Sequence, residues 1–110
     1  MLSDNTSYTI SASDGINLFI RNHSVKNSNK VILLIHGLGE HSGRYLNLIQ
    51  DFNDKNISVF TIDIRGHGKS EGKRGHSPFY EQLMNDIQYF VQHVTNKTSN
   101  QKYFLYGHSM

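Results

Sequence analysis

The sequence predicts an α/β fold, in which parallel strands alternate with crossover helices. Residues 31–35 are apolar at every position, and residues 57–64 form a second, largely apolar run. Runs of this kind are typical of strands that are covered on both faces. Each is followed by a segment with apolar residues at helical spacing, and a third strand-forming run, residues 103–106, comes last. This alternation predicts a parallel sheet with right-handed crossovers.

A β-hairpin is predicted before the first of these strands. Residues 8–13 and 17–24 are rich in strand formers, and Asp14 and Gly15 lie between them. An Asp-Gly pair supplies the positive φ angles that a two-residue hairpin loop requires. A loose surface loop is the alternative interpretation of this stretch.

Two helices are predicted from the spacing of their apolar residues. Ser42 is a candidate N-cap for the first helix and Asn56 a candidate stop. The apolar stripe of this helix consists of Tyr45, Leu46, Leu48, Ile49 and Phe52. Ser77 and Pro78 suit the start of the second helix, because serine caps free amides and proline has no N–H to leave unpaired. The second stripe consists of Phe79, Leu83, Ile87, Phe90 and Val94, and this helix is expected to end within residues 96–100.

A glycine-rich segment joins the second strand to the second helix. Residues 63–75 contain glycine at positions 66, 68, 72 and 75. This content predicts an exposed and rigid loop, with Asp63 and Arg65 in a local ion pair. The loop is expected to support the side of the sheet on which an active site would lie.

Composition limits the class of protein. A length of 110 residues allows one small domain, and the net charge of +2 comes from scattered basic residues, which disfavours a nucleic-acid surface. The absence of cysteine excludes disulfides, thiolate nucleophiles and cysteine-based zinc sites. The first residues are polar and lack a signal-peptide pattern, and the longest apolar run has five residues. A cytoplasmic location without a transmembrane segment is therefore predicted.

The final stretch, QKYFLYGHSM at 101–110, holds the candidate nucleophile. An apolar run leads into Gly107, His108, Ser109 and Met110, which match four of the five positions of G-x-S-x-G. In that pattern a strand turns sharply into a helix and exposes the serine hydroxyl at the top of the sheet. The second glycine would be residue 111, so the elbow is expected to be incomplete in these 110 residues.

Three blocks together resemble the α/β-hydrolase superfamily and, within it, monoacylglycerol lipases and lysophospholipases. They are HGLGEHSGRY at 36–45, DIRGHGKSEG at 63–72 and GHSM at 107–110. The resemblance implies a single partial domain, residues 1–110, that forms the N-terminal half of an α/β-hydrolase fold. An antiparallel hairpin would be followed by parallel strands with crossover helices in an incomplete sheet, without the cap and the C-terminal part.

The resemblance also implies a chemistry. Ser109 would be the nucleophile for carboxylic esters of glycerolipids, through an acyl-serine intermediate. The backbone amides of Leu38 and Met110 would form the oxyanion hole. The supporting positions of the motifs are matched by His36, Gly37, Gly39, Gly107 and His108. No cofactor or metal is implied, no nucleic-acid partner is expected, and contact with a lipid surface would go through the absent cap.

The same resemblance predicts that this polypeptide is inactive alone. The family's chain order places the triad acid and then the histidine after the serine, and only Met110 follows Ser109. The histidines at 36, 41, 67, 76 and 108 are not expected to replace the base. Loss of a triad histidine costs on the order of 10⁶ in kcat in a well-studied protease.

Two other interpretations stay open at this point. The chain can be a non-catalytic remnant of such a lipase, with its last strand as an exposed apolar edge. A dinucleotide-binding unit is a lesser alternative, since Gly37 and Gly39 follow a strand and Asp63 ends the next one. That fingerprint requires a third glycine or alanine where this chain has Ser42.

Overall fold

The computed structural model describes residues 3–37, 40–74, 79–98 and 101–107. Within these ranges the elements follow the predicted order of hairpin, strand, helix, strand, helix, strand. The strands are β1 (Ser3–Ser11), β2 (Asn17–Val25), β3 (Lys30–Ile35), β4 (Ser58–Ile62) and β5 (Lys102–Gly107). The helices are α1 (Leu46–Asp54), which is entered through a 3₁₀ turn at Ser42–Tyr45, and α2 (Tyr80–Lys97).

The described strands form one mixed sheet in the order β1-β2-β4-β3-β5. β3 lies between β4 and β5 and is parallel to both, whereas β2 is antiparallel to β1 and to β4. Ile35 on β3 is level with Ile62 on β4 and with Gly107 on β5. We call this end of the three parallel strands the carboxyl edge. Open α/β sheets bind their ligands at such an edge.

β3 is covered on both faces, as its continuous apolar sequence predicts. Its odd-numbered residues from 31 to 35 pack in one core with Phe90 and Val94 of α2. Residues 32 and 34 pack in a second, smaller core with Ile49 of α1. Because successive side chains of a strand point to opposite faces, α1 and α2 lie on opposite sides of the sheet.

The hairpin is confirmed, but its loop is longer than predicted. The N–H of Gly15 donates to the carbonyl oxygen of Ala12 at 2.9 Å, and the N–H of Ala12 donates to that of Ile16 at 2.8 Å. Gly15 has a φ of +89°, whereas Asp14 is not among the residues with positive φ. A two-residue loop of the predicted type needs positive φ at both positions. The chain instead uses three loop residues, 13–15, with glycine at the last.

The start of the first helix corrects the predicted N-cap. His41 precedes the 3₁₀ turn, and its Nδ1 accepts the N–H of Gly43 at 3.1 Å. Ser42 is buried inside the turn, where its hydroxyl accepts from Nε of Arg21 at 2.9 Å. The predicted stop is confirmed, since Asn56 has a φ of +63° just after α1.

α2 agrees with the predicted helix at its end and differs at its beginning. It ends at Lys97, within the predicted range. Phe79 is 77% exposed and does not belong to the buried stripe, whereas Phe90 and Val94 do. The predicted capping pair, Ser77 and Pro78, lies outside the described residues.

Candidate active site

The carboxyl edge carries the described part of the predicted site. Gly107 pairs with Ile35 there, and His36 and Gly37 follow Ile35 directly. The other predicted site residues lie outside the described ranges; they are Leu38, Gly39, His108, Ser109 and Met110. The structure thus brings three of the predicted positions, His36, Gly37 and Gly107, to one edge of the sheet. A Cβ added at Gly107 meets no described atom within 4 Å, so the described packing does not by itself require glycine at this position.

His36 fastens the end of β3 to the end of β4. Its ring is fully buried, its Nε2 accepts the N–H of Ile64 at 2.9 Å, and its Nδ1 contacts the carbonyl oxygen of Gly37 at 2.7 Å. Since Nε2 accepts, the proton lies on Nδ1 and donates to Gly37. Burial lowers the pKa of His36, which favours this neutral form. Asp63 lies 4.0 Å from Nε2, but a nitrogen without a proton forms no ion pair with it. Both ring nitrogens are therefore engaged in holding backbone.

Glu40 closes the loop that follows β3. Its Oε1 accepts the N–H of Gly37 at 2.9 Å and the hydroxyl of Tyr45 at 2.6 Å. The backbone N–H of Glu40 donates in turn to the Gly37 carbonyl at 3.1 Å. Burial, and then the hydrogen bond to Glu40, raises the pKa of Tyr45 to about 12, so the hydroxyl is a donor at neutral pH. We call Gly37, Glu40 and Tyr45 the loop bracket.

Asp63 is a buried carboxylate that ties two loops together. Its Oδ1 accepts the N–H of Ser42 at 2.7 Å, and its Oδ2 accepts the N–H of Lys69 at 3.0 Å. Backbone amides that donate to a carboxylate form strong, charge-assisted bonds. The predicted ion pair between Asp63 and Arg65 is wrong, because these amides bind Asp63 and Arg65 turns to other partners.

The segment after β4 is exposed only in part, which corrects the predicted exposed loop: residues 63–67 and 70 are buried, whereas residues 68, 69, 71, 73 and 74 are exposed. Asp63, His67 and Ser70 are all buried. The Ser70 hydroxyl donates to the carbonyl of Asp63 and accepts the N–H of Phe19 at 2.8 Å. The N–H of Glu71 donates to the carbonyl of Asn17 at 2.9 Å. The segment folds back along β2 because β2 offers backbone groups beyond the end of β4.

Arg65 joins three elements. It forms a two-point contact with Asp86 of α2, at 2.7 Å from Nε and 2.9 Å from NH2. Its NH1 also donates to Asp14 of the hairpin loop at 2.7 Å. Hydrogen bonds to Asp86 and then Asp14 raise the pKa of Arg65, and the guanidinium lowers the pKa of Asp14. This paired geometry is the one in which arginine binds carboxylates most strongly.

Two features that support the site were not predicted: the buried Asp86 and the contact between Glu40 and Tyr45. The sequence carries a signal for the first of them. Asp86 lies next to Ile87 and four positions before Phe90, on the buried side of α2. An acidic residue on the apolar stripe of a helix requires a partner, so a buried arginine elsewhere was predictable. The apolar spacing places Tyr45 on the buried stripe of the first helix, but nothing in the sequence indicates that its hydroxyl binds Glu40.

Two kinds of site are absent from the part of the chain that the structure describes. Across the described ranges no group of three or more His, Cys, Asp or Glu side chains is arranged to hold a metal ion. No helix in the same ranges has the length and apolar character needed to cross a bilayer. The carboxyl edge places Gly37 and Gly107, the described residues that precede Leu38 and Ser109 most closely along the chain, at the ends of neighbouring strands.

Comparison with solved structures defines the class of protein. The chain superposes on a thermostable carboxyl esterase from Bacillus coagulans with a TM-score of 0.77 and 25% identity, covering 94% of this chain and 36% of that one. It superposes on an open-form lipase with a TM-score of 0.83, 23% identity, and coverage of 96% and 36%. The fold class is therefore that of the α/β-hydrolases, as the motifs predict.

The family follows from the sequence comparison. Residues 26–110 match the family described as serine aminopeptidase, S33, and the chain belongs to this family. It is 36% identical over 98 residues to the monoglyceride lipase of Rattus norvegicus, covering 88% of this chain and 32% of the rat protein. It is 46% identical over 78 residues to an uncharacterised abhydrolase domain-containing protein of Dictyostelium discoideum, covering 71% of this chain and 8% of that protein. The chain is thus related to lipases and esterases, and it spans about a third or less of the length of these relatives.

Proposed function

We propose that this chain supplies the nucleophile and the oxyanion amides of a serine hydrolase for carboxylic esters of glycerolipids. The observation that carries the proposal is the pairing of Gly107 with Ile35 at the carboxyl edge. Ser109 is two residues beyond Gly107, and Leu38 is three residues beyond Ile35. Because a residue advances the chain by at most about 3.6 Å, the proposed nucleophile and one proposed donor are each only a short length of chain from the pair formed by Gly107 and Ile35.

The proposed reaction proceeds through an acyl-serine. The Ser109 hydroxyl attacks the ester carbonyl carbon, a base takes its proton, and the carbonyl oxygen becomes an oxyanion that the amides of Leu38 and Met110 stabilise. The bond to the glycerol oxygen then breaks and that oxygen takes the proton. Water then attacks the acyl carbon while the base takes its proton. The bond to the Ser109 oxygen breaks, that oxygen takes the proton, and the fatty acid is released. Loss of one oxyanion donor in such a site costs about 10²–10³ in kcat.

The acid and the base of this reaction come from outside these 110 residues. In the family's chain order both follow the serine. His36 is the described histidine closest in sequence to Leu38, and it uses both ring nitrogens to bind backbone. We therefore propose that the 110-residue polypeptide does not hydrolyse esters alone. The glycerolipid substrate is suggested by the relatives named as monoglyceride lipases, one of which shares 36% identity over 98 residues with this chain.

A chimera tests the proposal directly. The segment of rat monoglyceride lipase that matches this chain is replaced by the 110 residues. In the resulting polypeptide, the lipase chimera, we expect the acid and the histidine that follow the serine in the family's chain order. We expect the lipase chimera to release fatty acid from a monoacylglycerol, and Ser109→Ala to reduce kcat to background, because no other group can form the acyl intermediate.

Three outcomes would contradict parts of the proposal. Turnover by the lipase chimera that survives Ser109→Ala would contradict the assignment of the nucleophile. A chimera that unfolds cooperatively in urea yet has no activity would contradict the proposed function and favour the non-catalytic remnant. Turnover by the 110-residue polypeptide itself, dependent on Ser109, would contradict the proposal that its acid and base are supplied from elsewhere.

A further inference from the structure

Two cationic side chains, those of Arg21 and Lys69, lie against the ring of Phe19. The guanidinium carbon of Arg21 is 5.3 Å from the ring centroid, and Nζ of Lys69 is 5.2 Å from it. Arg21 and Phe19 lie on β2, whereas Lys69 lies in the segment after β4. We call these three residues the cationic cluster. Because both charges lie beside one ring, their potentials add and favour an anion at this place.

Backbone contacts place the cationic cluster at the carboxyl edge. Asp63 directly follows β4, and its N–H donates to the carbonyl oxygen of Phe19 at 3.0 Å. The N–H of Lys69 donates to Oδ2 of Asp63 at 3.0 Å, and Nε of Arg21 donates to the hydroxyl of Ser42 at 2.9 Å. The cluster therefore belongs to the edge at which open α/β sheets bind their ligands.

The two charges have no counter-charge in the part of the chain that the structure describes. Neither Arg21 nor Lys69 takes part in an ion pair there. The Asp63 carboxylate bonds the backbone of Lys69 and not its ammonium group, and its other oxygen accepts the N–H of Ser42. An incoming anion therefore does not have to displace a carboxylate before it binds.

The half-buried guanidinium of Arg21 also keeps donors available. Within the described ranges its side chain forms one hydrogen bond, from Nε to Ser42, which leaves both terminal nitrogens unbonded. One of these nitrogens, Nη2, faces Gly43, since a Cβ added at Gly43 would lie 3.4 Å from it. Glycine at that position leaves this side of the guanidinium uncovered.

We propose that Arg21 and Lys69 form a binding site for a phosphate monoester. Arginine offers parallel N–H groups that match phosphate oxygens, and lysine binds phosphate as a point charge. A phosphate monoester carries a charge of about −1.5 to −2 at pH 7, which balances the two cations, whereas a carboxylate balances only one. The site is defined by contacts of the described residues and does not depend on Ser109 or on the proposed function.

Calorimetric titration of the 110-residue polypeptide with sn-glycerol 3-phosphate tests the site. The titration is done at neutral pH and constant ionic strength, because salt screens exposed charges. We expect Lys69→Gln and Arg21→Gln each to weaken binding about 10-fold or more, since each removes a charge-assisted contact. Glycerol, which lacks the phosphate, should give no binding heat.

The matched control is Lys97→Gln, which removes one exposed positive charge from a different ring. Nζ of Lys97 lies 5.7 Å from the centroid of the Tyr8 ring. The other neighbour of that ring is His93, whose pKa is lowered by burial and by Lys97, so it adds no second cation at neutral pH. Lys97→Gln should therefore bind sn-glycerol 3-phosphate as the parent chain does.

Two features of the variants separate a loss of binding from a loss of fold. The Lys69 side chain is exposed and forms no hydrogen bond with the described residues, so Lys69→Gln should unfold at the same urea concentration as the parent. Arg21→Gln also removes the bond to Ser42. Arg21→Lys keeps the charge and is expected to recover part of the affinity.

A soluble phosphate monoester and a lipid headgroup offer the same chemistry, and flotation with vesicles distinguishes them. Phosphatidylcholine vesicles with and without phosphatidic acid are compared, because phosphatidic acid carries a phosphate monoester at the membrane surface. Flotation that requires phosphatidic acid and is lost in Lys69→Gln identifies a lipid headgroup as the ligand. Binding of sn-glycerol 3-phosphate without flotation identifies a soluble one.

Three results would overturn the phosphate site. They are equal affinity in the parent, Lys69→Gln and Arg21→Gln; an equal loss in Lys97→Gln; and a folded polypeptide that binds neither sn-glycerol 3-phosphate nor phosphatidic acid vesicles. Ester hydrolysis is not measured in any of these experiments. Failure of the phosphate site would therefore leave the proposed function untouched, and inactivity of the lipase chimera would not count against the site.

Discussion

Single residues at the carboxyl edge are defined by contacts that their neighbours in sequence do not reveal. Gly68 is the sharpest example. It has a φ of +51°, and a Cβ added there would come within 2.7 Å of Cγ of Asp63 and 2.9 Å of Cβ of His41. Gly68 therefore allows the close approach through which Asp63 binds the amides of two loops. Glycine at a loop position could be predicted from the sequence, but its packing against Asp63 could not, because that contact depends on the return of the chain.

Gly68→Ala is expected to destabilise the fold by about 2–4 kcal/mol, from backbone strain and from overlap with the Asp63 carboxylate. Urea unfolding followed by circular dichroism measures the change. Gly15→Ala is the matched control, since Gly15 also has positive φ, +89°, but a Cβ there meets nothing within 4 Å. It should cost about 1–2 kcal/mol from strain alone. Equal losses for the two variants would contradict the proposed contact between Gly68 and Asp63.

At the scale of elements, Arg65 connects parts of the chain that are far apart in sequence. It follows β4 by three residues, yet its partners lie in the hairpin loop and in α2, 51 and 21 residues away. The strands and helices themselves were predictable from apolar spacing, because each depends on nearby residues. The predicted ion pair between Arg65 and Asp63 is wrong, because the spacing of residues along the chain does not show which loops meet in the fold.

The two partners of Arg65 are expected to differ in importance. Asp86→Asn should destabilise the fold by about 3 kcal/mol, because it weakens a buried ion pair with two-point geometry. Asp14→Asn should have a small effect, because 43% of the Asp14 side chain is exposed and its pairing is screened by water. Urea unfolding of both variants at neutral pH checks the order, and a larger loss for Asp14→Asn would contradict it.

Acid gives a second test of the Asp14 contact. Arg65 lowers the pKa of Asp14 in the folded chain. A lowered carboxyl pKa stabilises the fold above the unfolded value, about 3.9, and this contribution is lost as the pH falls through the folded value. The stability of Asp14→Asn should therefore fall less between pH 5 and pH 2 than that of the parent chain. Identical acid profiles would mean that the contact does not persist in solution.

At the scale of the whole molecule, the sheet ends at an open strand. β5 pairs with β3 on one side, and none of the described residues pairs with its other side. The exposed large apolar residues of β5 are Phe104, Leu105 and Tyr106. An unpaired apolar strand edge is a template for association with another chain. The sequence predicted an exposed apolar edge at the last strand, and β5 lies at the edge of the sheet that the described strands form.

The 110-residue polypeptide is therefore expected to self-associate through β5. Leu105→Lys should reduce association in sedimentation experiments without loss of cooperative unfolding, because Leu105 is 62% exposed. Leu46→Lys is the control, since Leu46 is a comparably exposed leucine, 47%, on α1 rather than on the strand edge. Association that persists in Leu105→Lys and disappears in Leu46→Lys would place the contact on the helix instead.

We propose that Ser109 becomes an activated nucleophile when an acid and a histidine complete the fold. The most direct measurement is peptide mapping by mass spectrometry after treatment with a fluorophosphonate, which reacts with activated serines. We expect the adduct on the peptide that contains Ser109 in the lipase chimera, and no adduct in the 110-residue polypeptide treated in parallel. An adduct on a different serine of the chimera, or none on a folded chimera, would contradict the claim.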